Sequence, residues 1–74
     1  MAELREIDIE ETKRIAARRG LLPGRVRGTE QIRFTWGANE RLEVIEWAIF
    51  ESTVRKRNLV VYESGGWMKI MRRP

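Results

Sequence analysis

The sequence predicts a small α+β domain in which two helices and two β-hairpins follow one another in the order α-β-β-α-β-β. Two segments carry apolar residues at helical spacing, and two others have apolar runs interrupted by glycine-containing turns. The 74 residues accommodate one domain with one modest hydrophobic core. We therefore expect a single antiparallel sheet with one helix, the second, packed on one of its faces.

The first helix is predicted over residues 8–19. Asp8 and Glu11 have the spacing of a capping box, in which the first side chain accepts a hydrogen bond from the first helical turn. Acidic residues occupy the first turn, arginines occupy the last turn, and Gly20 follows as a C-cap, all of which favour a helix. Residues 1–7 form an acidic segment before this helix, and we expect them to be frayed.

The second helix is predicted over residues 46–57. Trp47, Phe50 and Val54 recur at helical spacing and form one apolar stripe. A stripe of this kind is typical of a helix that packs on a sheet, so we expect these side chains to belong to the core. A short extended segment is predicted immediately before the helix, at residues 42–45.

Two hairpins are predicted, the first over residues 24–36 and the second over residues 59–71. In the first, alternating apolar residues flank a three-residue turn, Gly28-Thr29-Glu30. In the second, two apolar runs flank a Ser-Gly-Gly sequence. A two-residue turn and a three-residue turn place opposite faces of Tyr62 and Trp67 inward, so the register of the second hairpin stays open.

Several classes of function are disfavoured by what the sequence lacks. It has no cysteine and no histidine, so it has neither a thiolate nucleophile nor a side chain that ordinarily titrates near neutral pH. The lack of cysteine also indicates an intracellular, cytoplasmic protein without disulfides. Ser52 and Lys56 have the spacing of a nucleophile and its base, but the neighbouring arginines disfavour such a role. We predict no enzyme activity, no metal site and no cofactor.

The distribution of charge points to an anionic partner. The net charge is +4, and acidic segments at residues 1–11 and 39–53 alternate with basic segments at residues 12–38 and 54–74. Basic segments of this kind are typical of chains that bind nucleic acid or an anionic surface. The longest apolar run, Trp47–Phe50, is far shorter than a membrane span, so we expect nucleic acid rather than a membrane as the partner.

The first hairpin interleaves arginines with apolar residues. If Val26, Ile32 and Phe34 face the core, the alternation of a strand places the intervening arginines together on the opposite face. Such a face, with Trp36 at its end, offers guanidinium groups for phosphates and an indole for a stacked base. Together with basic residues nearer the C-terminus, the predicted nucleic-acid-binding residues are Arg25, Arg27, Arg33, Trp36, Arg55, Lys56, Arg57, Arg72 and Arg73. The alternative explanation is that these arginines only keep an exposed sheet face soluble.

The segment from Ala16 to Arg73 resembles a family of small uncharacterised bacterial proteins. The likeness rests on the stretches Arg25-Val26-Arg27-Gly28-Thr29, Ile32–Phe34, Leu42-Glu43-Val44-Ile45-Glu46-Trp47 with Phe50, and Trp67 to Arg73. The most specific part has the pattern Leu-Glu-x-Ile-x-Trp-x-x-Phe, and the C-terminal part has the pattern aromatic-x-Lys-apolar-apolar-x-Arg. This chain departs from the family at Glu46, where the relatives usually have a serine N-cap. The resemblance implies a shared small fold and no established activity.

Two classes of function follow from these observations. The first is a nucleic-acid-binding accessory protein that binds weakly and without sequence preference through its arginines. The alternative is a protein–protein interaction module or small regulator, for which one form is a homodimer through an exposed sheet edge or through the uncovered face of the sheet. The first class requires the basic segments to converge in space, whereas the second requires an open edge or an uncovered face.

Overall fold

Two antiparallel three-stranded sheets and two helices make up residues 3–74, the part of the chain that this computed structural model describes. In chain order the elements are β1 (Arg5–Ile7), α1 (Ile9–Arg19), β2 (Leu22–Val26), β3 (Ile32–Thr35), β4 (Leu42–Val44), α2 (Trp47–Lys56), β5 (Leu59–Ser64) and β6 (Trp67–Arg72). Sheet I has the strand order β1-β5-β6, and sheet II has the strand order β3-β2-β4. The predicted α+β class is confirmed. Among residues 3–74, no helix combines the length and the apolar character needed to cross a membrane.

The structure has two sheets where one was expected, because each predicted hairpin takes a third strand from elsewhere in the chain. Strand β1 joins β5, and β4 joins β2. These additions occupy one side of each hairpin and leave β3 and β6 as edge strands. No backbone hydrogen bond joins sheet I to sheet II within the described part of the chain.

Strand β1 corrects the expectation that residues 1–7 are frayed. Ile7 pairs with Val61 and is only 8% exposed, so it adds to the core. Arg5 donates from Nε to Oε1 of Glu63 at 2.7 Å. Buried apolar surface and an ion pair thus offset the entropy that is lost when this short strand is ordered. Residues 1–2 of the segment lie outside the described residues.

Helix α1 begins and ends where its capping residues indicate. The Asp8 side chain accepts a hydrogen bond from the Glu11 backbone N–H at 2.8 Å. At the other end Gly20 adopts a left-handed conformation with φ 70°, which costs glycine little. Thr12 and Ile15 are buried on the inner face of the helix. Asp8 therefore caps the N-terminal end of α1.

The second hairpin closes with a two-residue turn, which resolves its register. Ser64 pairs with Trp67, so Gly65 and Gly66 alone form the turn. Both glycines have positive φ, 59° and 88°, as a type I′ turn requires. Tyr62 and Trp67 consequently share the outer face of sheet I. Their neighbours along the two strands, Glu63 and Met68, lie on the inner face.

The core is organised around Phe50 of α2, which is 0% exposed. Its ring lies 5.4 Å from that of Phe34 in sheet II and 5.1 Å from that of Trp47 in its own helix, measured between centroids. The buried cluster is completed by Ile7, Ile15, Ile32, Ile45, Leu59 and Val61. Both sheets therefore contribute to one core. Phe50 is buried in it, as the helical stripe predicted, whereas Trp47 and Val54 of the same stripe are half-buried at its margin.

Replacing Phe50 is expected to remove much of the stability of this small domain. We expect Phe50→Ala to lower the free energy of unfolding by about 3–5 kcal/mol, because it deletes a fully buried ring that links α2 to sheet II. Urea unfolding followed by circular dichroism measures this change. The control is Ile49→Ala on the same helix, where the side chain is 42% exposed. Equal losses for the two variants would contradict this description of the core.

Candidate functional site

Strands β3 and β6 face each other across an open groove between the two sheets. One end of this groove is lined by Ile32 and Arg33 of β3 together with Ile70, Met71 and Arg72 of β6. At the other end, residues 34 and 36 lie opposite residues 67 and 68. No backbone hydrogen bond joins the two strands in the described part of the chain. We call this feature the β3–β6 groove.

The first end of the groove is a basic cleft of about 380 Å³. Arg33, Arg57 and Arg72 converge on it from β3, from the residue that caps α2, and from the end of β6. Arg57 is positioned by donating from Nη1 to the backbone carbonyl of Glu30 at 3.0 Å. Arg33 donates from Nη1 to the carbonyl of Ile32 at 2.9 Å. Each of these two guanidinium groups keeps further N–H donors for a ligand.

The second end of the groove is a smaller, aromatic cleft of about 170 Å³. Trp36 and Trp67 line it and are 71% and 55% exposed, more than any other large apolar side chain among residues 3–74. Its remaining lining residues are Arg19, Leu21, Phe34, Gly66 and Met68. Large exposed aromatic side chains in a concave site are typical of a binding surface.

Arg19 links the two tryptophan-bearing segments. Its backbone carbonyl accepts a hydrogen bond from Nε1 of Trp36 at 3.4 Å. Its own Nη1 donates to the carbonyl of Gly66, the residue before Trp67, at 2.9 Å. The Gly66 N–H in turn donates to Oε2 of Glu63 at 2.8 Å. Helix α1 and the β5–β6 turn therefore hold the aromatic cleft from both sides.

The groove is electropositive because no carboxylate lines it. Neither cleft has an aspartate or glutamate among its lining residues. Within residues 3–74, none of its four arginines, Arg19, Arg33, Arg57 and Arg72, forms an ion pair with a carboxylate. Most cations elsewhere on the surface do form such a pair. The groove thus gathers four arginines that no ion pair within the described residues engages, which makes it a favourable site for an anion.

The predicted arginine face of the first hairpin is not present, and this corrects the sequence analysis. Arg25 pairs with Ile32, so its side chain lies on the same face as that core residue, whereas Arg33 lies on the opposite face. Oε1 of Glu43 accepts from Arg25 at 2.8 Å, and its Oε2 lies 3.7 Å from Nη1 of Arg27. Val26 pairs with Gln31 across the turn, so the turn contains four residues rather than the three that were expected. A change of one residue in the turn exchanges the faces of one strand.

The other predicted binding residues separate into two groups. Three lie outside the lining of both clefts and pair with acidic side chains, namely Arg55 with Glu51 at 2.8 Å, Lys56 with Glu30 at 2.7 Å and Arg73 with Glu6 at 2.8 Å. Four lie in the groove, namely Arg33, Trp36, Arg57 and Arg72. The prediction omitted Arg19 and Trp67. Trp67 could have been included because, like Trp36, it borders a glycine near a turn.

Glu63 supports the aromatic cleft as a nearly buried, ionised carboxylate. It is 8% exposed, and its two oxygens bind the Gly66 N–H and the Arg5 guanidinium. The hydrogen bond from Gly66 and, after it, the interaction with Arg5 hold the pKa of Glu63 below its ordinary value, against the opposing effect of desolvation. The ionised form therefore favours the folded turn that carries Trp67.

Comparison of the chain with protein-family models, with curated protein sequences and with solved structures finds no match. The resemblance described under Sequence analysis therefore rests on the sequence patterns alone.

We expect the contribution of Glu63 to stability to depend on pH. Because its pKa is lower in the folded chain than in the unfolded chain, its stabilising effect is complete above the unfolded value of about 4.3 and is lost as the pH falls through the folded value. Glu63→Gln should lower the Tm at neutral pH, and its difference from the unchanged protein should shrink in acid. Thermal melts at a series of pH values measure this difference.

The control for this experiment is Glu40→Gln. Glu40 is exposed, and its carboxylate forms no ion pair within residues 3–74. Its replacement should leave the Tm nearly unchanged at every pH. If the deficit of Glu63→Gln persisted undiminished in acid, the charge of Glu63 would not be the cause of its effect.

Proposed function

We propose that the protein binds nucleic acid in the β3–β6 groove, weakly and without sequence preference. The observation that carries this proposal is that unpaired arginines and two exposed tryptophans line one groove that contains no carboxylate. Guanidinium groups bind phosphate oxygens in a bidentate manner, and indoles stack on bases. The lining therefore supplies groups for both chemical parts of a nucleotide.

The composition of the groove also indicates the strength and specificity of binding. Contacts to phosphates contribute affinity but carry no information about sequence. A single groove with four arginines neutralises few phosphates, so the affinity is expected to be low and its decrease with salt to be moderate. Gln31, at the basic cleft, is the one side chain of the lining whose amide both donates and accepts, which leaves little capacity to distinguish bases.

A second candidate function is self-association through a sheet edge, and a specific observation favours it. Strand β6 is six residues long, and its edge away from β5, which faces the groove, pairs with no strand among residues 3–74. Unpaired backbone groups along such an edge can pair with another chain. This candidate predicts a molecular mass that rises with protein concentration, whereas nucleic-acid binding in the groove predicts an affinity that depends on salt.

The salt dependence of binding tests the proposed function. Each phosphate contact on a single strand contributes about 0.7 to the slope of log affinity against log salt concentration, so four arginines give a slope of about −3. We expect the double variant Arg33→Ala, Arg72→Ala to make this slope shallower by about 1.4. Fluorescence anisotropy of a labelled oligonucleotide between about 50 and 200 mM salt measures the slope.

A matched control removes two arginines elsewhere. Arg14 and Arg55 are exposed and line neither cleft, and each forms an ion pair on the surface of its own helix. The variant Arg14→Ala, Arg55→Ala therefore has the same net charge as the groove variant, and it should retain the full slope. Equal losses in the two variants would show that net charge rather than the groove determines binding. Absence of salt-dependent binding by the unchanged protein, together with a dimer in light scattering, would favour the second candidate.

A further inference from the structure

The two tryptophans of the aromatic cleft come from different sheets. Trp36 follows the end of β3, and Trp67 begins β6 on the other side of the groove. Among residues 3–74, the aromatic rings that pack together are Phe34 with Phe50 and Trp47 with Phe50. The indoles of Trp36 and Trp67 therefore stack on no other ring. Both present unoccupied aromatic surface to the same cleft.

A long hydrogen bond restrains one of the two indoles. Nε1 of Trp36 donates to the Arg19 carbonyl, which anchors the polar edge of the ring while 71% of the residue stays exposed. A ring anchored in this way loses less conformational entropy when a ligand stacks on it. The Arg19 guanidinium lines the same cleft and is itself held by the Gly66 carbonyl. A stacked ring that carries a phosphate would thus find a cation beside it.

The size of the cleft limits what can enter it. Its volume of about 170 Å³ is below the range of roughly 300–1,000 Å³ that is typical of pockets for drug-sized molecules. One flat ring system is a more suitable occupant. From Arg33 to Trp36 the chain advances three residues, or about 10 Å in an extended strand. The phosphates of a few nucleotides can therefore lie along the basic cleft while one base reaches the aromatic cleft.

On the basis of the proposed function, we infer that the ligand is single-stranded and that one unstacked base enters the aromatic cleft and stacks against Trp36, with Trp67 forming the other side. In a duplex the bases are paired and stacked, so a base reaches such a cleft only at the cost of leaving the stack. A single strand offers its bases without that cost. A duplex would retain only the phosphate contacts of the basic cleft.

Three fluorescent probes of equal length test this inference. They are a single-stranded octanucleotide, the same strand with abasic sites in place of its central bases, and the corresponding duplex, with the single strand made both as DNA and as RNA. We expect the single strand to bind about fivefold or more tightly than the abasic strand, since stacking of one base accounts for the difference. The duplex should bind no more tightly than the abasic strand. The DNA and RNA arms determine which sugar the site prefers.

Variants of the tryptophans locate the stacking contact. Trp36→Ala should weaken binding of the intact single strand by about fivefold or more and leave its salt slope unchanged, because stacking releases no counterions. Trp36→Phe should restore much of the loss because it retains an aromatic face. Trp67→Ala should have the same effect as Trp36→Ala in a weaker form. The control is Leu22→Ala, which removes a side chain that is 41% exposed and lines neither cleft.

The outcomes distinguish failure of this inference from failure of the proposed function. Equal, salt-dependent binding of the single strand, the abasic strand and the duplex would overturn the stacked base and leave nucleic-acid binding in the groove intact. An unchanged affinity in both tryptophan variants would do the same. If none of the three probes bound at low salt, the proposed function itself would fail, and this inference with it.

Discussion

The packing of Phe50 is the interaction on which the rest of the structure depends. Because no backbone hydrogen bond joins sheet I to sheet II within residues 3–74, side chains alone hold the sheets in one core. Phe50 is the largest fully buried side chain among them, and it contacts Phe34, whose strand forms one wall of the β3–β6 groove. The packing of two unpaired sheets around Phe50 therefore produces both the core and the groove. Strands that pack through side chains without pairing leave their polar edges available at the surface.

Local sequence signals predicted the helices and the turn residues of this fold, whereas non-local pairing escaped them. Asp8 and Gly20 act within a few residues of their own positions, so their capping roles can be predicted from the sequence. The pairing of β1 with β5 joins residues more than fifty positions apart, and nothing in the acidic N-terminal segment indicates it. The candidate site brings together Arg19, Trp36 and Trp67, which lie 17 and 31 positions apart along the chain, and neither helical nor strand periodicity links positions so far apart.

The error over the arginine face has a more specific cause. Composition indicates that a turn is present, but a three-residue and a four-residue turn differ by a single residue, and that residue decides which face each side chain occupies. Arg25 consequently lies beside Glu43, and Arg33 lies in the basic cleft. Ion pairs then sort the remaining charges, because an arginine with a carboxylate neighbour contributes less to an anion site than one without. The number of charged residues in a sequence predicts neither the length of a turn nor which arginines have a carboxylate beside them.

The absence of backbone hydrogen bonds between β3 and β6, within residues 3–74, also has a mechanical consequence. In a continuous sheet the distance between neighbouring strands is set at about 4.8 Å by backbone hydrogen bonds, and changing it breaks them. Here the two walls of the groove are joined by no such bonds, and side-chain packing beneath them sets their separation. The width of the β3–β6 groove can therefore change without breaking a backbone hydrogen bond within residues 3–74. The groove can thus adjust to the thickness of a ligand while every strand stays hydrogen-bonded to its own neighbours.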